Sequence, residues 1–239
     1  MLSIHCRVTV IVVLLSLASP MWAAASDRAE RESEKGFKPM CNGKDLTGWD
    51  GMPGWWKVTD GVVWAESTPE KPAKTTHYLF WKEAEPADFE MRVSCRISGK
   101  ANSGVSFRCK RLPNWNLEGY QADLDSANQY TGCFYQDGRG IVAQRGEKVH
   151  IHAAGKKTVE VFADAKELLK AIKRDGWNDY RSTAAGPRIG IWINGVLMCE
   201  VEDHDKKLSL RRGVIALQIH QGPSMKAEFK NPRIRIDTP

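Results

Sequence analysis

The sequence predicts an all-β protein, a two-sheet jelly-roll β-sandwich carrying one short helix. Three observations predict it. Short segments with apolar residues at every second position recur along the chain, as half-buried strands require. Asp60-Gly61 and Asn194-Gly195 lie between apolar runs, the pattern of two-residue hairpin turns with positive φ. One stretch alone, residues 164–174, carries helix signals at both ends. A two-sheet jelly roll has room for about a dozen such strands and offers one polar face.

Residues 1–25 read as a signal peptide. His5 and Arg7 give a weakly basic start, residues 8–17 form an apolar run too short for a comfortable membrane span, and Ala23-Ala24-Ala25 supplies a small-residue cleavage site. An uncleaved anchor is the alternative; no cysteine follows the run to carry a lipid. The protein is therefore expected to be exported, periplasmic or extracellular, with no stable membrane span after signal cleavage. Residues 26–36 are charged and almost free of apolar side chains, a flexible leader. The folded domain is expected over residues 37–239.

Asn42 to Trp49 is turn-rich with two apolar anchors, Leu46 and Trp49. Strands at 55–58 and 62–65 flank Thr59-Asp60-Gly61, and a Pro- and Lys-rich loop at 68–74 leads to a short strand at 77–81. Residues 89–98 alternate cleanly, with Phe89, Met91, Val93, Cys95 and Ile97 inward. The next strand sets Val105, Phe107 and Cys109 inward against Ser106, Arg108 and Lys110 outward. Residues 119–125 set Tyr120, Ala122 and Leu124 inward against Gln121, Asp123 and Asp125. Residues 128–140 form a long polar loop with a short strand at 133–135, and loops of this length in compact domains are often functional. The helix at 164–174 has Asp164 as cap, Glu167 completing a capping box, Leu168, Leu169 and Ile172 as its stripe, and Gly176 as its end. Strands at 177–183, 188–193, 196–202, 213–220 and 225–236 follow, with Trp192 and Leu197 read as core. In the strand at 213–220, Gln218 and His220 face outward. In the last strand the inward parity shifts between Phe229 and Ile234, which places a bulge at Asn231-Pro232.

With 239 residues and 42% hydrophobic content, the core is large enough to fold without staples. The net charge of +6 invites a nucleic-acid partner. Lys and Arg are nevertheless interspersed with Asp and Glu, and no helix-turn-helix, zinc-finger or RNP pattern occurs, so none is expected. Cys41, Cys95, Cys109, Cys133 and Cys199 remain after the signal, an odd set without CxxC spacing, which argues against structural zinc. A hairpin turning near residues 100–104 would set Cys95 opposite Cys109, so a bridge there stays open; buried free thiols are the simpler reading. Asp203-His204-Asp205 looks like a metal cluster but lies between strands, and a solvated turn accounts for it better. No Ser-His-Asp spacing, phosphate loop or HExxH is present.

Taken by parity, three strands contribute polar groups: Arg108, then Gln121 with Asp123, then Gln218 with His220. If the strands share a sheet, these form one patch, and Arg139 from the long loop could close over it. The patch would hold a titrating base, a carboxylate, a fixed cation and amides, the planar groups that bind sugar hydroxyls. Nine Trp and five Tyr supply stacking rings. A carbohydrate is the expected partner.

Several motifs together carry a resemblance. Asn42 to Trp49, Trp56 to Gly61, Asn102-Ser103-Gly104 with Phe107-Arg108, Gly119 to Asp123, Gly138-Arg139-Gly140, Trp177-Asn178, Asn194-Gly195, Leu217 to His220 and Phe229 to Asn231 occur in order across residues 37–237. The chain resembles the 3-keto-disaccharide hydrolase family, whose fold is similar to concanavalin-like, laminarinase-like sandwiches. The resemblance implies cleavage of glycosides oxidised to a ketone at C3. That ketone acidifies the C2 proton; a base removes it, the C1 substituent leaves by β-elimination, and water adds afterwards. On this view His220 is the base, Asp123 the acid or a metal ligand, and Arg108 the enolate or hydroxyl contact, while Gln121 and Gln218 orient the sugar and Arg139 binds it. A divalent metal is compatible with this set, and none is required by it. Two positions depart from the family pattern: Cys41 stands where an aromatic is usual, and Ile191 where relatives often carry a polar residue, which implies a lost or altered substrate contact. The competing expectations are a non-catalytic carbohydrate-binding module and an adhesion or scaffold domain. His220 favours a glycoside-cleaving hydrolase or lyase, because a module that only binds needs no titrating base.

Overall fold

The structure is a computed structural model and describes residues 34–237. Residues 1–33, where the signal peptide and most of the leader are expected, lie outside the described residues. Two sheets form a sandwich. The ten-stranded sheet runs β12 (Lys157–Val161), β11 (Glu147–Ile151), β15 (Val196–Asp203), β14 (Arg188–Ile193), β13 (Asn178–Ala185), β6 (Asp88–Gly99), β17 (Met225–Asp237), β4 (Val62–Ser67) and β3 (Trp56–Thr59), with β1 (Lys38–Pro39) paired to β17. The seven-stranded sheet runs β10 (Gly140–Ala143), β9 (Phe134–Gln136), β8 (Asn116–Asp125), β7 (Asn102–Leu112), β16 (Val214–Ile219), β5 (His77–Trp81) and β2 (Trp49–Gly51). The expected all-β jelly-roll sandwich is therefore the fold.

The inner faces pack against each other as the alternation requires. Met91 and Val93 of β6 and Ile189, Ile191 and Ile193 of β14 meet Tyr120 and Ala122 of β8 and Leu217 and Ile219 of β16 in one buried core. Phe107 joins the sheets, with ring centroids 5.8 Å from Phe89 and 6.1 Å from Tyr120. Truncating Phe107 to Ala would cost about 3–5 kcal/mol. Asp60-Gly61 and Asn194-Gly195 both take positive φ at both positions, as a type I′ turn demands. The bulge falls where expected, with a register shift between Lys230 and Arg233. Helix α1 (Ala165–Leu168) is capped by Asp164, which accepts from the Lys166 and Glu167 N–H groups. It is shorter than the sequence suggests. A 3₁₀ turn takes over at Leu169–Ala171, and the Asn178 side chain then captures both the N–H and the C=O of Lys173.

Four expectations need correction. Residues 100–104 do not form a hairpin: β6 and β7 belong to different sheets, so the chain crosses the sandwich there. Cys95 consequently faces the inter-sheet core and Cys109 the opposite face of the seven-stranded sheet; all five cysteines described are free thiols. Trp192 is not core. It lies on the outer face of β14, with the Arg181 guanidinium 4.3 Å from its ring. The turn at 203–205 is not solvated at its aspartates. Asp203 is fully buried, paired with Arg139 and accepting the Tyr120 hydroxyl, and Asp205 accepts the Lys207 and Leu208 N–H groups. Ile191, the departure expected to alter a substrate contact, is buried in the core between the sheets.

Candidate functional site

A pocket of about 600 Å³ opens on the outer face of the seven-stranded sheet, a volume within the usual range for small-ligand sites. β8, β7 and β16 lie side by side beneath it. Gln121 and Asp123 reach it from β8, Gln218 from β16, and His220 from just past the end of β16. Tyr78, Tyr130, Tyr135 and Asp137 complete its walls.

The polar groups are wired in one direction. The Ser106 hydroxyl donates to Gln121 Oε1 at 3.0 Å. Gln121 Nε2 donates to Asp123 Oδ1 at 2.6 Å and to Gln218 Oε1 at 3.4 Å. Gln218 Nε2 then donates to the Tyr78 hydroxyl at 2.9 Å. Because Tyr78 accepts from Gln218, its own proton is free to point into the pocket. Burial holds that phenol above its ordinary pKa, so it remains a donor at neutral pH. Gly104 makes the wiring sterically feasible. A Cβ at that position would fall 2.6 Å from the Gln121 side chain.

Asp123 is 6% exposed, and burial raises its pKa from 3.8 to about 7; the charges of Asp125 and Asp137 add to the rise, while the Gln121 bond opposes it. Near neutral pH it therefore samples both protonation states, the condition for a proton donor. His220 places Nδ1 against the Gln221 carbonyl. A carbonyl only accepts, so Nδ1 carries the hydrogen and neutral His220 keeps its lone pair on Nε2.

Asp125, the second outward carboxylate of β8, serves the fold. Its oxygens accept the N–H groups of Gln129, Tyr130 and Thr131, which shapes the loop that presents Tyr130.

Two expected site residues lie elsewhere. Arg108 is fully buried on the core side: its φ is +50°, the β7–β8 register shifts between Phe107 and Lys110, and the bulge turns its side chain inward. There it donates to the carbonyls of Ala87, Gly186 and Leu210 and to Asp88 Oδ1. Gly213 lies against the same bulge, where a Cβ would fall 2.4 Å from the Cys109 carbonyl. Arg139 is held by Asp203, Gln136 and the Leu208 carbonyl, and does not close over the pocket. Tyr78 and Ser106 were not singled out from sequence. Every residue of β5 is buried, so alternation there says nothing about which side faces the ligand. Ser106 was assigned to the outward side, and nothing in its type marks it as part of a network.

Asp123, Asp137 and His220 line the pocket, but among the described residues no three metal-ligating side chains there lie within mutual reach. Among the described residues, the one group of three metal-ligating side chains within mutual reach is His150, Glu202 and His204.

The model of the family described as "3-keto-alpha-glucoside-1,2-lyase-like domain" matches residues 36–235. No curated protein matches the chain. Solved structures do. Two Parabacteroides distasonis proteins, both described as candidate glycosyl hydrolases, are 22% and 19% identical; they cover 84% and 87% of this chain, are covered over 99% and 97% of their own, and superpose with TM-scores of 0.54 and 0.58. The carbohydrate-binding module CBM66 from Bacillus subtilis is 16% identical, with 81% of this chain and 97% of the module covered and a TM-score of 0.53. At these identities the likeness is one of fold.

Proposed function

The chain belongs to the 3-keto-alpha-glucoside-1,2-lyase-like domain family, a family of carbohydrate-active domains, and on that premise we propose that it cleaves 3-keto-glycosides by elimination across C1 and C2. One observation carries the proposal: a histidine with an open Nε2 and a carboxylic acid titrating near neutrality line the same pocket.

In the proposed reaction His220 Nε2 takes the C2 proton, and the electron pair moves onto the C3 ketone oxygen. The Tyr78 hydroxyl, backed by Gln218, donates to that oxygen as charge develops, the part that the family resemblance implies for Arg108. The enolate then collapses, C1=C2 forms and the C1–O bond breaks, while protonated Asp123 donates to the departing oxygen. Products are the alcohol and a 1,2-unsaturated 3-keto sugar, to which water adds to give the free 3-keto sugar. Gln121 orients the ring through its amide, and Tyr130 and Tyr135 offer stacking faces. His220, Tyr78, Asp123 and Gln121 act directly on the sugar, Gln218 acts through Tyr78, and no step passes through a metal.

The test is incubation of the purified chain with 3-keto-trehalose, with and without chelator. Time-dependent release of glucose and a 3-keto sugar, lost in His220→Ala, supports the proposal. Saturable binding without cleavage replaces it with a carbohydrate-binding module. Export is part of the same proposal and rests on the apolar run at residues 8–17 and the alanines at 23–25. Expression in a Gram-negative host should yield a periplasmic protein beginning at Ser26, and a cytoplasmic full-length chain would refute it.

A further inference from the structure

Three of the chain's six histidines meet at one edge of the ten-stranded sheet, away from the sugar pocket. His150 lies on β11, opposite Glu202 in the parallel β11–β15 pair. His204 follows Glu202 by two residues, and its N–H bonds to the Ile151 carbonyl at 2.8 Å, so its backbone is pinned to β11. His152 stands two residues beyond His150, with ring centroids 4.5 Å apart; the His150 and His204 centroids are 5.2 Å apart. His150 Nδ1 is 3.8 Å from Glu202 Oε2, and His204 Nε2 is 2.8 Å from Glu202 Oε1. The ligand atoms of these three residues lie within 4.8 Å of one another.

We propose that His150, Glu202 and His204 bind one divalent transition-metal ion of the zinc type. A tetrahedral zinc ion with bonds of about 2.1 Å holds its donors roughly 3.4 Å apart. The present separations from Glu202, 2.8 Å to His204 and 3.8 Å to His150, bracket that value. His152 lies beside this set, with its Nε2 bonded to Thr158 Oγ1 at 3.0 Å. The donor set is rich in imidazole, which favours zinc, copper or nickel over the oxygen-seeking Ca²⁺ and Mg²⁺. The nearest competing cation, Arg188, is 3.7 Å from Glu202 Oε2 and 72% exposed, so it can turn into solvent. The ion would cross-link the β11–β15 pair, whose parallel ladder is the weaker kind.

Equilibrium dialysis of the chelator-treated full chain against about 10 μM Zn²⁺, with bound metal counted by mass spectrometry, tests the site. The expected result is about one zinc per chain, lost in His150→Asn/His204→Asn and in Glu202→Gln, retained in His220→Ala, and not matched by Ca²⁺. Far-UV circular dichroism confirms that each variant is folded. A Tm rise of roughly 5–10 °C at a hundredfold excess over Kd should accompany binding. Unchanged stoichiometry in the double variant, no zinc above background, or equal uptake of Ca²⁺ would overturn the proposal.

Discussion

Asp123 is the residue on which stability and chemistry pull apart. Its folded pKa of about 7 lies above the unfolded value of 3.8. Between those values the folded chain holds a proton that the unfolded chain has lost. Stability is therefore fully present below about pH 4 and falls as pH rises through 7. Asp123→Asn removes the ionisation but can keep a partner for the amide of Gln121. Relative to the parent, the variant should gain on the order of 2–4 kcal/mol between pH 5 and pH 8, measured by urea unfolding. It should also lose the proton donor for the leaving oxygen. A pH-independent difference between the two proteins would contradict the buried, protonated carboxyl. Tyr78→Phe deletes one hydroxyl at the far end of the chain of hydrogen bonds. It should lower kcat by about 10–100-fold with little change in unfolding midpoint. Sequence could not single out Tyr78, because a strand buried on both faces has no polar side to read.

At the scale of the strand, β7 holds the main lesson. Period-two alternation holds from Gly104 to Phe107 and fails at Arg108, where one residue at positive φ inverts the parity. Arg108 goes inward to clamp three connections, and Cys109 goes outward to Tyr78, Phe80 and Leu117. A bulge in β17 was legible because proline and a parity shift mark it. The β7 bulge carries no such residue of its own; its companion is Gly213, on a neighbouring segment more than a hundred residues away. Arg108→Met should cost about 3–5 kcal/mol in unfolding free energy, since it strands buried carbonyls. Its kcat on folded protein should stay within a few-fold of the parent, the reverse of what a catalytic arginine would show. Gly104→Ala tests the neighbouring position. The added methyl must displace Gln121, so KM should rise by about tenfold or more while the fold persists.

At the scale of the whole molecule, the fold was readable because most strands alternate between the buried face of the sandwich and an outer face, with the parity broken only locally at bulges. Turn chemistry at Asp60-Gly61 and Asn194-Gly195 fixed two hairpins without ambiguity. The strands β10 to β12 escape a reading by sequence because each is only four or five residues long, and in β12 the alternating Val159 and Val161 are exposed rather than core. The site was partly readable for the same geometric reason. Gln121, Asp123, Gln218 and His220 converge because β8, β7 and β16 are neighbours, whereas Arg108 and Arg139 are diverted by a local bulge and by a buried aspartate. Two layers also explain how a polar pocket can coexist with a dry core. The sheet that presents amides on one side seals Tyr120, Ala122 and Leu217 on the other.

The central claim is that the glycosidic bond breaks by loss of the C2 proton. Cleavage of 3-keto-trehalose in D₂O, followed by NMR at early times, measures this directly. Elimination followed by addition predicts that the released 3-keto sugar carries deuterium at C2, or that the unsaturated sugar appears with no C2 proton, in both cases only when His220 is intact. Release of a 3-keto sugar that retains its original C2 proton would contradict the account.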